Sequence, residues 1–140
     1  VGLSETDLEM MRSGYSLWNE GDIDGVVDRC LAKDIEFHLG SEWPGLDSRY
    51  YGADEVARFL REDIAKVIGL RDIQIEREEI FEETVIFALR TVVEGELSGV
   101  TLGEVPIFHV VRVADGRVVR IEVFLDEQKA RSAAAKPSSS

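Results

Sequence analysis

A chain of 140 residues, 44% of them hydrophobic, is long enough for one domain with a sizeable core, and no run approaches the roughly 18 apolar residues of a membrane span. A net charge of −12 disfavours nucleic acid and anionic membrane surfaces as partners, because both call for a basic footprint. The only cysteine is Cys30, which excludes a disulfide framework and a cysteine-based metal site; the N-terminal "VGLSETDLEMM" lacks the basic and apolar regions of a signal peptide, so a cytoplasmic location is expected.

Ser4 and Asp7 form the pattern of a capping box, and Leu8, Met11, Tyr15 and Trp18 then recur at helical spacing. Gly21 stops that helix. Asp22 caps a second one, in which Ile23, Val26, Val27, Cys30 and Leu31 make a single apolar stripe. The short strand "IEFHL" follows and runs into "GSEWPGLDSRYYG", a loop rich in aromatic and turn residues. A third helix starts near Ala53, with Val56, Phe59, Leu60, Ile64 and Val67 on its apolar face and Gly69 at its end.

From Leu70 the period becomes strand-like. "RDIQIEREEIF", "TVIFALRTVVEG", "SGVTLGEVPIFHVVRVA" and "RVVRIEVFL" read as four strands. Glu82 and Glu83 mark one hairpin tip, and "ADGR" marks another, of type I′. Asp126 opens a last short helix. Residues 1–135 read as a single domain and 136–140 as a disordered tail. The element order predicts an α+β fold, with helices packed on one face of a curved antiparallel sheet. "VIFALRTVV" is apolar on both faces, whereas helices packed on the concave side cover only one. The expectation is a homodimer through the outer sheet face.

"LWNEGDIDGVVDRCLAKDIEFH", "YYGADEVARFL" and "SGV…HVVRVADGRVVRIEVFLDEQKA" resemble the nuclear transport factor 2-like superfamily, in its ketosteroid-isomerase-like and SnoaL-like polyketide-cyclase-like branch. The likeness runs from about Leu8 to Ala133. It implies a cone-shaped α+β barrel, a curved antiparallel sheet with helices packed on its concave face around a mostly apolar pocket, frequent homodimers, and a scaffold that hosts isomerases, cyclases, epoxide hydrolases, dehydratases and non-enzymatic binding domains. Ketosteroid isomerases use a tyrosine on the first helix, a general-base aspartate after the first strand and a protonated aspartate as second donor. By resemblance these positions are Gly14 (with Tyr15 adjacent), His38 and Phe108. The two aspartates and the arginine of limonene-epoxide-hydrolase-like members correspond to Val85, Phe87 and Val123. The late acidic residue of polyketide-cyclase-like members has Glu122 and Asp126 as its nearby options; strand parity turns Ile121, Val123 and Leu125 inward and Glu122 away.

His38 is therefore the leading candidate for proton transfer, with Glu36 on the same strand face to orient it and Tyr15 as a hydrogen-bond donor. The plainer alternative is a half-buried histidine satisfied by its neighbours. Trp18, Trp43, Tyr50, Phe59, Phe87, Phe108 and Val123 are the candidate pocket-lining residues. If Phe108 faces inward, His109 faces outward. Two histidines on opposite faces make no zinc site, and no metal or organic cofactor is implied. The functional expectation is a small-molecule-binding domain, an isomerase-, lyase- or cyclase-type enzyme acting on a small, largely apolar substrate. The alternatives are a non-catalytic ligand-binding module and a dimeric protein-interaction domain.

Overall fold

The computed structural model describes residues 3–39, 49–82, 84–93 and 103–135. Trp43, Glu83 and the 136–140 tail lie outside these residues.

Helix α1 (Glu5–Asn19) opens with a reciprocal capping box between Ser4 and Asp7. Asp22 caps α2 (Ile23–Cys30) by accepting from the Gly25 amide at 2.9 Å. Helix α3 (Ala53–Phe59) runs on into a π-helical segment (Leu60–Ile68) that Gly69 ends in the left-handed conformation. Asp126 caps α4 (Glu127–Ala134). The "ADGR" turn has positive φ at Asp115 and Gly116, as a type I′ hairpin requires.

Among the described residues six strands form one open sheet: β1 (Leu31–Leu39), β2 (Arg49–Tyr51), β3 (Leu70–Phe81), β4 (Thr84–Val93), β5 (Gly103–Ala114) and β6 (Arg117–Phe124), in the spatial order β2-β1-β6-β5-β4-β3. The expected antiparallel sheet is corrected at one point: β1 and β6 pair in parallel. A helix and four strands lie between them in sequence, ample length for a parallel crossover. The short β2, inside the stretch read as a loop, adds an edge strand beside β1.

Near its start β3 loses register with β4 between Arg71 and Gln74, where Asp72 takes φ 53°. The carbonyl and amide of Ile73 are taken instead by the side chain of Asn19, at 2.9 and 2.8 Å. A bulge leaves backbone groups unpaired, and here the last residue of α1 satisfies them. Arg12 grips Glu78 through two bonds of 2.7 Å. These contacts fix α1 across the concave face of the sheet.

That face carries the main core: Ile35, Phe37 and Leu39 from β1, Val85, Phe87 and Leu89 from β4, Ile107 and Val111 from β5, and Val123 from β6, packed with Leu8, Met11, Val56 and Phe59 of the helices. A second, smaller core lies on the opposite face. There Ala130, Ala133 and Ala134 of α4 pack on Ile86, Ala88, Phe108 and Val110. This corrects one expectation: not all helices sit on the concave face. Ile86 and Ala88, two of the outer apolar residues behind the expected homodimer, are covered by α4 of the same chain. Alanines let the helix sit close to the sheet. Arg131, bonded to Glu79 at 2.8 Å, and Glu127, accepting from Arg77 at 3.0 Å, tie it to β3.

Candidate functional site

Between the helices and the concave face lies a cavity of about 110 Å³. Met11, Gly14, Tyr15 and Trp18 of α1, Cys30 of α2, Phe37 and Leu39 of β1, Ile107, His109 and Val111 of β5, and Ile121 and Val123 of β6 are among its walls. Engineered apolar cavities of about 150 Å³ take up benzene, so this volume suits a small molecule.

The wall follows from strand parity. Ile107, His109 and Val111 alternate inward along β5, while Phe108 and Val110 point to α4. His109 pairs laterally with Phe87 on β4 and Val123 on β6, so three inward positions stand side by side. Helix α1 crosses above them. A Cβ on Gly14 would come within 3.2 Å of the Cys30 sulfur, so the absent side chain lets α1 approach α2. One residue further round the helix, Tyr15 points at the sheet. Its hydroxyl lies 2.8 Å from His109 Nδ1, and its ring meets Phe87 edge-on, with centroids 5.3 Å apart.

Burial pushes His109 down to about 4 and the Tyr15 phenol upward. Both are therefore neutral near pH 7. The other two polar side chains of the wall are already engaged: Trp18 donates its indole N–H to the Leu70 carbonyl at 3.1 Å, and the Cys30 thiol donates to the Met10 carbonyl. Burial also raises the Cys30 thiol, which keeps it protonated.

The residues singled out in the sequence are scattered. Tyr15, Trp18 and Val123 reach the cavity. Phe87 is buried behind Tyr15 and supports it. Tyr50 and Phe59 stack on each other with centroids 4.0 Å apart in the packed core. Phe108 lies on the outer face under α4, which inverts the expected parity of β5 and brings His109 inward. His38 and Glu36 are also on the outer face, because Ile35, Phe37 and Leu39 take the concave positions of β1. There His38 Nε2 lies 3.3 Å from Glu36 Oε1, and Nδ1 lies 3.2 Å from an Arg120 nitrogen. Both ring nitrogens have protein partners, and the ring is only 9% exposed. Burial, then Arg120, lowers its pKa against the opposing pull of Glu36. Sequence reasoning missed the Tyr15–His109 pair. The available signal was alternation: His109 shares parity with Ile107 and Val111. Among the described residues no group of three or more histidine, cysteine or acidic side chains could hold a metal.

A family model for the SnoaL-like domain matches residues 11–121. No curated protein matches the sequence. Among solved structures, TerC co-crystallised with polyporic acid superposes with a TM-score of 0.74 at 19% identity, covering 94% of this chain and 100% of that one. An NTF2-like protein of unknown function from Burkholderia pseudomallei gives 0.73 at 20% identity, covering 95% and 100%. A candidate ketosteroid isomerase from Kribbella flavida gives 0.67 at 17%, covering 88% and 79%. At these identities the likeness establishes the fold.

Proposed function

This chain belongs to the SnoaL-like domain family, and on that footing we propose that it binds a small, largely apolar molecule in the cavity between α1 and the concave sheet face. The observation that carries this reading is the cavity itself: an apolar chamber of about 110 Å³ with one hydrogen-bonding pair, Tyr15 and His109, in its wall. The structural likeness to a relative crystallised with polyporic acid supports it.

Melting the protein with and without saturating ethylbenzene tests the proposal. A ligand that binds only the folded state raises Tm. A rise is expected, and an unchanged Tm contradicts the reading.

A second reading, isomerase-, lyase- or cyclase-type catalysis, rests on the same pair. A neutral imidazole backed by a phenol suits stabilisation of negative charge on a substrate oxygen. With its pKa near 4, His109 is a poor general base near neutrality, so the pair's contribution is electrophilic. Exchange of the α-protons of cyclohexanone in D₂O, followed by NMR, separates the readings. Exchange accelerated by the wild type and lost in His109→Phe favours the enzyme; bound ketone without accelerated exchange favours the non-catalytic module.

The proposed homodimer uses the polar strip that α4 leaves uncovered, where Glu36, Arg120 and Glu122 alternate in charge across β1 and β6. Sedimentation at the mass of two chains supports it, and sedimentation at the mass of one contradicts it.

A further inference from the structure

Two arrangements of the Tyr15–His109 bond are chemically open. If Tyr15 accepts from Nδ1–H, its own O–H proton and the Nε2 lone pair both lack partners. If Tyr15 donates to Nδ1, only Nε2–H is left over. An unmet donor or acceptor at a desolvated apolar wall is costly, so the second arrangement, with one unmet group in place of two, prevails. Among the described residues nothing accepts from Nε2–H: the one hydrogen bond of the ring is the one to Tyr15. The cavity thus presents an N–H donor whose tautomer is set by the phenol behind it.

The second observation is what the wall lacks. Among the described residues, no Asp, Glu, Lys or Arg lines the cavity. Arg12 of α1 and Glu78 of β3 are bonded to each other, Arg120 and Glu122 of β6 share the outer face with His38, and Arg117 of β6, which acts on the Cys30 thiol, donates to the Asp28 and Leu31 carbonyls. An ionised ligand would enter an apolar chamber with no counter-ion.

We propose that the cavity selects an uncharged ligand bearing a hydrogen-bond acceptor, a ketone-type oxygen that takes the proton of His109 Nε2–H, and that it rejects carboxylates and phosphates of the same shape. This inference rests on the binding reading above and specifies its ligand class. Tyr15 is the positioning residue that holds the imidazole in its donating form.

The test is a binding series on the wild-type protein near neutral pH with three molecules of similar shape: acetophenone, ethylbenzene and benzoate. Acetophenone is expected to bind about tenfold more tightly than ethylbenzene, the worth of one added hydrogen bond. It is expected to bind at least about a hundredfold more tightly than benzoate, the discrimination set by burying an unpaired charge. His109→Phe should abolish the first ratio while retaining ethylbenzene. Should that variant fail to fold, the ¹⁵N shift of His109 Nε2 in the wild type gives the same information: it moves on adding acetophenone and stays for ethylbenzene. Benzoate binding as tightly as acetophenone, or binding with uptake of a proton, overturns the inference and leaves the cavity reading intact. Binding of none of the three overturns both.

Discussion

The two faces of the sheet each carry one histidine, His38 buried and His109 half-buried at the cavity wall, and they satisfy it differently. On the outer face, His38 has Glu36 at one ring nitrogen and Arg120 at the other. On the concave face, His109 has Tyr15 at Nδ1, and its second nitrogen has no partner among the described residues. Both imidazoles are held below their ordinary pKa, His38 by burial and Arg120 together and His109 by burial alone. The difference teaches which one is equipped to act. A ring saturated by its own protein has nothing left for a ligand, whereas a ring with one group unmet, at the wall of an apolar chamber, has something to offer.

The comparison can be broken first at its support. Phe87 is fully buried beneath Tyr15. Phe87→Ala should cost about 3–5 kcal/mol in chemical denaturation and lower ligand affinity by loosening the phenol. Retained stability would mean that the concave face is not the packed support described.

A second prediction uses acid. In the folded chain His109 titrates near 4, against 6.5 for the ordinary group. The unfolded chain therefore takes up the proton more readily, and stability must fall as pH drops through that window, by about 3 kcal/mol in all. His38 shifts in the same direction and adds to the slope. Carboxylates held low by arginine partners, such as Glu78, act only below their ordinary value of 4.5. Denaturation midpoints measured between the two histidine values should fall with pH in the wild type and much less in His109→Phe. A flat wild-type profile would remove the argument for a desolvated neutral imidazole.

Tyr15→Phe leaves His109 Nδ1 without its donor, at about 1–3 kcal/mol. It also frees the imidazole to change tautomer, so acetophenone binding should weaken toward that of ethylbenzene in calorimetric titration. The smallest effect is expected on the other side of the sheet. His38→Ala should cost about 1 kcal/mol and leave ligand affinity unchanged; a large loss of binding would reverse the assignment of the two histidines.

The frame of the fold was legible in the sequence because its local signals agreed. Ser4 with Asp7, Asp22 and Asp126 each cap the helix they were read to cap, and "ADGR" turns as read. Strand parity was less legible. In "EVPIFHVVRV" both alternating sets are largely apolar, since one faces the main core and the other the alanines of α4; a strand buried on both sides carries little alternation to read. The C-terminal helix was foreseen, but nothing in "EQKARSAAA" says which face it covers. For His38 the signal was present: Ile35, Phe37 and Leu39 share the opposite parity, and a position taken from family likeness outweighed it. The same likeness pointed to Gly14 and Phe108, and in each case the polar residue one place further on reaches the cavity.

The most direct test follows both imidazoles in one sample by ¹H–¹⁵N NMR, near neutral pH, as acetophenone is added. The account predicts a neutral His109 with Nδ1 in the accepting state, an Nε2 signal that moves with ligand, and a His38 signal that does not. Movement of His38 with His109 unmoved, or a His109 already protonated near neutrality, would contradict it.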